Sequence, residues 1–434
     1  MISFSVLTLG CKVNSYESEA VINDLIKHGW ELRNFRDLCD VYIINTCTVT
    51  STSDQKSRQM LHAARRRNTD SIVVAMGCYS QLNCEAVSKI ADIVLGTNNK
   101  MQIYDIINSY LETKISIMNV TNVLENPTYE EMKINNLVNH TRAFIKIQDG
   151  CENYCSYCAI PYSRGKIRSR RPENIIEEIK MLVAKGTKEV IFAGINTGTY
   201  GQDLGNINLA GLLKLVMEET DIYRVRFSSI EVMEVTSELL AVIKQYETRV
   251  AMHFHIPLQG GSDSILIKMK RKYLTDFYEA KITEIRNLFD EVSITTDILA
   301  GFVSETEEEF NQCLAFVKKI NFYDMHVFPY SRRKNTIADT MEGHLPASII
   351  NNRAKILLDV AKEMKINHNH AYIGKTVLVL VENMKSGMWK GHTSNYLEVC
   401  FVSTEKDLVN KIIKVKITHQ EDGVLYGNKE GENE

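Results

Sequence analysis

The chain has 434 residues, of which 44% are apolar, and its formal net charge is −3. This length predicts about two to four domains with globular cores. No apolar run is long enough to cross a bilayer, and the N-terminus lacks a charged-then-apolar secretory pattern, so we expect a cytoplasmic protein. The small negative charge argues against binding of nucleic acid by charge alone. Ten cysteines in a reducing compartment indicate metal or catalysis before disulfides.

Residues 1–115 alternate strand-like runs with amphipathic stretches, which indicates a parallel sheet with helices on both faces. The predicted strands are Ile2–Leu9, Val41–Thr46, Ser71–Met76 and Ile93–Gly96. Cys11, Cys47 and Cys78 each follow one of the first three strands. Because the carboxyl ends of parallel strands share one sheet edge, the pattern predicts a metal site there. Three separately buried thiols are the alternative.

Residues 116–140 are polar, contain Pro127 and several asparagines, and are predicted to be a linker. Residues 141–370 then contain six strand–helix units and a final helix, Pro346–His370. Six such units with right-handed connections favour a barrel or an open arc of one. The predicted strands are Ala143–Ile147, Val190–Ile195, Arg224–Ile230, His253–Leu258, Ser293–Leu299 and His326–Tyr330.

The string GCENYCSYC follows the first of these strands and spaces Cys151, Cys155 and Cys158 as C-x3-C-x2-C. Three closely spaced thiolates can hold an iron–sulfur cluster and leave one iron open to a substrate-like molecule. A zinc site usually has four ligands in paired spacings, and no fourth Cys or His lies close in the sequence. Three buried thiols in a loop are the structural alternative.

Residues 371–434 change in character. Short β-rich runs, separated by Gly, Asn and Asp, predict a small β-barrel of the oligonucleotide-binding kind. Composition fits other small β domains equally well. The runs are Thr376–Glu382, Ser394–Val402 and Ile412–Thr418.

Together these regions resemble the methylthiotransferase family of radical S-adenosylmethionine (SAM) enzymes over essentially the whole chain. The resemblance rests on ordered strings: TLGCKVNSYESE, INTCTVT, GCYSQ, IKIQDGCENYCSYCAIPYSRGKIRSRR, GINTGTYGQD, HIPLQGGSD, TTDILAGF and HVFPYS. The chain departs from the family's usual strings in two small ways. LQGGS replaces LQSGS, and GFVSET replaces GFPGET. Neither departure removes a cysteine.

The resemblance implies an α/β protein with an N-terminal parallel-sheet domain, a partial (β/α)6 radical SAM barrel and a C-terminal β-barrel similar to a TRAM RNA-binding domain. It implies an auxiliary [4Fe–4S] cluster in the first domain and a SAM-binding [4Fe–4S] cluster in the second. The implied ligands are Cys11, Cys47 and Cys78 for the first cluster, and Cys151, Cys155 and Cys158 for the second.

Within the family, three of the strings are similar to the branch that acts on N6-threonylcarbamoyladenosine at position 37 of tRNA, beside the anticodon. The implied reaction adds a methylthio group to C2 of the adenine by radical chemistry and uses two SAM molecules. The implied partners are tRNA, an electron donor such as flavodoxin or ferredoxin, and a sulfur donor. Alternatives are isopentenyladenosine in tRNA, an aspartate of a ribosomal protein, and a non-catalytic iron–sulfur regulator that binds RNA.

Two further residue sets are candidates once SAM and tRNA are implied. Polar residues at barrel strand ends are expected to shape the SAM site, with loop caps or internal hydrogen bonds as the alternative. These residues are Gly194, Asn196, Ser229, Glu231, Gln259 and Asp297. The basic stretch after the cysteine loop is expected to contact the RNA backbone, with a solvated surface as the alternative. Its residues are Arg164, Lys166, Arg168, Arg170 and Arg171.

Overall fold

The computed structural model describes residues 1–125, 128–134 and 141–431. Its N-terminal domain is a six-stranded parallel sheet with strand order β2-β1-β3-β4-β5-β6. Separate apolar cores cover the two faces of this sheet. The elements are β1 (Ser3–Thr8), α1 (Lys12–Lys27), β2 (Glu31–Leu32), β3 (Val41–Thr46), α2 (Ser51–Arg67), β4 (Ile72–Gly77), α3 (Cys78–Leu82), α4 (Cys84–Val87), β5 (Ile93–Leu95), α5 (Ile103–Thr113) and β6 (Ile117–Asn119).

The predicted parallel sheet is confirmed, and its central strands show why it was predictable. Every residue of β3 and β4 is buried, as expected for near-continuous apolar strands covered on both faces. The edge strand β6 was not predicted and lies in the segment interpreted as a linker. Val123 and Met132 of that segment are also buried. Pro127, on which the linker prediction partly rested, lies outside the described residues.

The central domain carries six parallel strands in two hydrogen-bonded groups, β7-β10-β11 and β12-β13-β14. A backbone bridge between Ser229 and His255 joins the groups, which confirms the six-strand arc. Its elements are β7 (Ala143–Lys146), β8 (Gln148–Asp149), α6 (Ile160–Arg164), β9 (Arg168–Ser169), α7 (Pro172–Ala184), β10 (Glu189–Ala193), α8 (Leu209–Glu219), β11 (Arg224–Phe227), α9 (Ser237–Gln245), β12 (His253–His255), α10 (Asp263–Lys268), α11 (Thr275–Leu288), β13 (Ser293–Ala300), α12 (Glu307–Ile320), β14 (Asp324–Pro329) and α13 (Ala347–His370).

The barrel strands alternate between an apolar outer face and a polar inner face, as the two-residue period of a strand requires. Val225, Phe254 and Ile294 pack into the apolar core that lies between the strands and their helices. Their neighbours Arg226 and His255 therefore point to the opposite side, the inside of the arc. We call this inner surface the lumen, and its polar character suits a ligand site.

The C-terminal domain is a closed five-stranded barrel with strand order β15-β16-β17-β19-β18, which confirms the predicted small β-barrel. Two of its strands, β16 and β19, were not predicted because each contains a glycine and polar residues that weaken a strand pattern. At Gly391 in β16, a Cβ would lie only 2.0 Å from the Leu380 carbonyl oxygen. The strands are β15 (Thr376–Lys385), β16 (Met388–His392), β17 (Glu398–Val402), β18 (Ile412–Glu421) and β19 (Val424–Lys429).

Among all the helices of the described chain, none has the length and apolarity needed to cross a membrane.

Candidate active site

Three strands that are neighbours in the N-terminal sheet end at the same edge, and a cysteine follows each. Cys11 directly precedes α1, Cys47 follows β3, and Cys78 begins α3. Burial raises the pKa of the Cys47 thiol to about 11, and the nearby Cys78 and Cys11 thiols add to that effect. The structure therefore brings the three predicted residues into one electrostatically coupled group.

Close packing fixes the loop that follows β1. Gly10 has a φ of +100°, and a Cβ there would lie 2.8 Å from Cys47 Sγ, so both conformation and space require glycine. Asn14 Nδ2 donates to the carbonyl oxygens of Leu9 at 2.8 Å and Thr46 at 3.1 Å. These two hydrogen bonds join the loops that carry the first two cysteines.

Arg164 links the barrel to the N-terminal cysteines. Its side chain is fully buried, with Nε 3.2 Å from Cys78 Sγ and Nη2 2.6 Å from Asn14 Oδ1. Its Nη1 lies 2.6 Å from Glu17 Oε1. The guanidinium is thus placed to donate a charge-assisted hydrogen bond to this sulfur.

A buried ion network surrounds that arginine at the contact between the two domains. Glu17 lies 3.0 Å from Lys100 and 2.8 Å from Lys146, while Asp149 lies 2.7 Å from Lys146 and 3.3 Å from Arg168. Burial alone would raise the pKa of Glu17, but the neighbouring cations lower it far below its usual range. With four cations around two carboxylates, the network has a positive surplus that suits an anionic cluster beside it.

The second cysteine group lies in the loop between β8 and α6. The Cys151 amide donates to the Gly165 carbonyl at 3.0 Å, and the Cys158 amide donates to the Cys155 carbonyl at 3.0 Å. Burial raises the pKa of Cys151 to about 11 and that of Cys158 to about 12, with Cys155 contributing to both. These thiols stay protonated at neutral pH unless a bound metal deprotonates them.

Arg271 supports this second group and was not predicted from the sequence. Its Nη1 lies 3.3 Å from Cys155 Sγ, and its Nη2 pairs with Glu231 and contacts the Tyr273 hydroxyl at 2.9 Å. Glu231, a predicted SAM contact, is therefore engaged with the residue that holds a cysteine. Arg271 follows α10 in a segment where spacing and composition give no functional signal.

The cysteine groups are wider than a site for a single ion. Within the ranges that the structure describes, the group whose three ligand atoms all lie within 4.8 Å of one another is His255, Asp297 and His326. A cluster distributes its cysteines over several iron atoms, so both cysteine groups fit a cluster better than one ion.

Two predicted SAM contacts form a site with unused hydrogen-bonding capacity. Asn196 is 5% exposed, and among the described residues neither its side-chain oxygen nor its nitrogen has a partner. Its backbone amide donates to Gln148 Oε1 at 3.0 Å, and a Cβ on Gly194 would lie 3.0 Å from the same oxygen. Because buried polar atoms are nearly always bonded, this pocket suits a polar ligand.

The other predicted contacts are bonded within the barrel. The Ser229 carbonyl accepts from Thr197 at 2.5 Å. Gln259 has a left-handed φ of +66°, and its amide donates to the Asp297 carbonyl at 2.8 Å. The Asp297 carboxylate lies 3.2 Å from His255 Nε2 in the lumen. These residues shape the strand ends mainly through their backbone or through each other.

The prediction that Arg164, Arg168 and Arg170 contact RNA is wrong. All three side chains are at most 1% exposed. Arg170 pairs with Glu178 and Glu131, and the other two belong to the buried ion network. The partner carboxylates lie in other elements, so a run of basic residues could not reveal them.

Lys166 and Arg171, from the same basic stretch, are exposed.

Lys12, the residue after Cys11, also escaped prediction, although it lies inside the string TLGCKVNSYESE. Its side chain is accessible to solvent. Surrounding protein and the nearby Arg226 guanidinium nevertheless lower the pKa of its ammonium to about 8. Arg142 and Asp297 are further charged neighbours. Lys12 is therefore an accessible side chain of α1 with charged barrel residues around it.

Two family models match the chain. Residues 3–96 match the uncharacterized protein family UPF0004, and residues 145–317 match the radical SAM superfamily. The first match covers the sheet that carries the N-terminal cysteines. The second covers the cysteine loop and most of the barrel.

Curated relatives match nearly the full length. Threonylcarbamoyladenosine tRNA methylthiotransferase MtaB of Bacillus subtilis is 38% identical over 94% of this chain and 92% of its own. The Aquifex aeolicus protein of the same name is 36% identical over 94% and 98%. A tRNA-2-methylthio-N(6)-dimethylallyladenosine synthase of Clostridium botulinum is 33% identical over 98% and 96%.

Solved structures share the fold at low sequence identity. The radical S-adenosylmethionine methyltransferase TsrM of Kitasatospora setae superposes with a TM-score of 0.55 at 13% identity, covering 76% of this chain and 74% of its own. At that identity the similarity establishes the arrangement of the elements alone.

Proposed function

Because the chain belongs to the methylthiotransferase family of radical SAM enzymes, we propose that it adds a methylthio group to C2 of N6-threonylcarbamoyladenosine in tRNA. The family uses [4Fe–4S] clusters and SAM. The observation that carries the proposal is the bond from Arg164 to Cys78. It holds the sheet edge with three cysteines against the barrel loop with three more, as a reaction with two clusters requires.

In this proposal the two cysteine groups are the cluster ligands. Cys11, Cys47 and Cys78 hold the auxiliary cluster, and the three cysteines of residues 151–158 hold the SAM-binding cluster. When bound, the clusters and SAM supply the radical and the sulfur that attack on an unreactive C2–H bond needs.

In this proposal, the residues around the two cysteine groups bind SAM and the substrate base and orient the cysteines. The Asn196 side-chain amide, which has no partner among the described residues, and the nearby Gly194 backbone form the polar wall proposed for SAM. The pair of Arg271 and Glu231 fixes the position of Cys155. The polar lumen accepts an adenine that has been turned out of the anticodon loop, because unpaired RNA bases can be splayed into protein pockets.

The proposed reaction also needs two protein or small-molecule donors and has a proposed cellular location. An electron donor such as flavodoxin or ferredoxin and a separate sulfur donor complete the reaction. Because the substrate is tRNA, the proposed location is the cytoplasm.

We expect Lys166→Gln and Arg171→Gln each to weaken tRNA binding and to lower the salt slope by about one ion. Both side chains are exposed and follow the cysteine loop, so each is available for one phosphate contact. Filter binding across a salt series measures the slope, with exposed Lys27→Gln as the matched control. An unaltered slope in both variants would remove this surface from the proposed tRNA path.

Mass spectrometry of tRNA nucleosides from a deletion strain tests the function. We expect the methylthio derivative of threonylcarbamoyladenosine to disappear and the unmodified parent to accumulate, with recovery when the wild-type gene is restored. The isopentenyl derivative in the same digest is the internal control and should not change. Loss of the isopentenyl derivative alone, or no nucleoside change, would refute the proposed substrate.

A further inference from the structure

The lumen carries a chain of polar contacts that leads from the C-terminal barrel toward the N-terminal cysteines. Tyr396 of the C-terminal barrel stacks on His253, with ring centroids 4.7 Å apart. His253 and His255 share the Thr295 hydroxyl at 2.8 and 2.9 Å. Asp297 follows on the same strand face. These residues form a continuous polar wall on β12 and β13.

Lys12 is the first residue of α1 and directly follows Cys11. Its electrostatic neighbours include Arg226, Arg142 and Asp297 of the barrel, and Cys11 of its own domain. Lys12 therefore lies beside one cysteine of the N-terminal group and near charged residues of the lumen. The proposed substrate base must approach both groups.

Within the described ranges, Lys12 is a cation without an acidic partner. No carboxylate of the described residues lies within 4.0 Å of its ammonium nitrogen. Asp297, the barrel carboxylate among its charged neighbours, already contacts two histidines, because its Oδ1 lies 3.2 Å from His255 and 3.3 Å from His326. An enclosed ammonium without a carboxylate is suited to an anion that arrives with a ligand.

The neighbouring arginines each have a carboxylate partner, and the Nη1 atom of each, which has no hydrogen bond among the described residues, is buried. Arg226 Nε bonds to Glu189 at 2.8 Å, and Arg142 lies 3.3 Å from Glu382. Both guanidiniums thus have a carboxylate partner, whereas Lys12 is accessible and has none in the part of the chain that the structure describes. The local excess of positive charge also opposes a divalent cation on the nearby His255, Asp297 and His326 group.

The chemistry of the modified base supplies a matching anion. The threonyl group is attached through its amino nitrogen, so its carboxylate is free and ionised at neutral pH. In adenine, C2 and C6 flank N1, so the carbon that receives sulfur and the N6 substituent share one edge of the ring. A residue beside a ligand of the auxiliary cluster is therefore placed to bind that substituent.

We propose that Lys12 is the specificity-determining residue that binds the threonyl carboxylate of the modified adenosine. The inference rests on the proposed function and assigns one residue of that site to recognition of the substrate. A cation at this position would favour a charged N6 substituent over an apolar one.

The test compares binding of two anticodon stem-loops to reconstituted full-length protein at fixed salt. One carries threonylcarbamoyladenosine, and the other carries its neutral methyl ester. Wild-type protein should prefer the acid by at least about tenfold, as expected for one charge-assisted hydrogen bond. Lys12→Met should bring the preference close to one, and Lys12→Arg should retain most of it. Lys27→Met, at the exposed far end of the same helix, is the matched control and should keep the wild-type preference.

Each contrary outcome points elsewhere. A Lys12→Met variant that keeps the wild-type preference overturns the proposal. Equal weakening for acid and ester, with a lower salt slope, would assign Lys12 to a tRNA phosphate instead. An intact preference with a raised KM for SAM would assign it to the SAM carboxylate.

Two further controls separate a failure of the proposal from misfolding of a variant and from failure of the proposed function. If Lys12→Met does not fold, Lys12→Gln replaces it, and a wild-type protein that binds acid and ester equally overturns the proposal by itself. Failure of the wild type to modify threonylcarbamoyl tRNA, despite a preference for the acid, would instead contradict the proposed function.

Discussion

Cys78→Ala and Cys158→Ala are expected to separate the two halves of the reaction. Wild-type protein reconstituted without oxygen should hold about eight iron atoms, and each variant about four. Cys158→Ala should lose SAM cleavage and methylthiolation together, because its thiol belongs to the barrel loop. Cys78→Ala should still form 5′-deoxyadenosine but should give no methylthio nucleoside. Iron assay and chromatography of both products measure this difference.

Cys400→Ala is the matched control for these variants. Cys400 is a partly buried thiol in β17 of the C-terminal barrel, away from both cysteine groups. It should keep full iron content and both products. If Cys78→Ala retained methylthiolation, the N-terminal group would not be a sulfur-transfer site.

Glu17→Gln is expected to lower the free energy of unfolding by about 3–5 kcal/mol, the usual cost of breaking a buried ion pair. The glutamine leaves Lys100, Lys146 and Arg164 with too little negative charge. The N-terminal sheet should then dock less firmly on the barrel and hold its cluster less tightly. Urea unfolding monitored by circular dichroism measures the stability, with exposed Glu112→Gln as the control.

The same carboxylate gives a pH dependence with a defined sign. Burial would raise the pKa of Glu17, but Arg164 and the two lysines lower it well below its ordinary value of 4.5. Its stabilising effect is therefore complete above about pH 4.5 and is lost as the pH falls. The wild type should lose stability on acidification more steeply than Glu17→Gln. Parallel pH profiles would show that Glu17 does not hold the domains together.

The sequence was sufficient to predict that the three N-terminal cysteines lie at one edge of the sheet, because that arrangement follows from strand direction. Parallel strands align their carboxyl ends, so Cys11, Cys47 and Cys78 had to share an edge once β1, β3 and β4 were neighbours. The strand runs were apolar enough to locate, and their observed ends differ from the predicted ends by one residue or less. The six barrel strands were predictable because their runs are also apolar enough to locate.

Charge patterns were a poor guide because charge at a domain interface depends on distant partners. In the sequence, Arg164 and Arg170 resemble part of an RNA-binding surface. In the structure they are buried and form ion pairs with Glu17 and Glu178. Lys12 is the opposite case, because it was not predicted to be functional. A single lysine at the start of a helix gives no functional signal in the sequence, and its charged neighbours become evident only in the folded structure. Both outcomes depend on how α1 packs against β7, which no local pattern encodes.

The most direct test of the whole account is anaerobic incubation of the reconstituted protein with SAM, a reductant and threonylcarbamoyl-modified tRNA, followed by mass spectrometry of the nucleosides. We predict a methylthio mass gain on threonylcarbamoyladenosine and none on unmodified adenosine. Formation of 5′-deoxyadenosine with no change in any nucleoside would leave the radical chemistry in place and contradict the substrate.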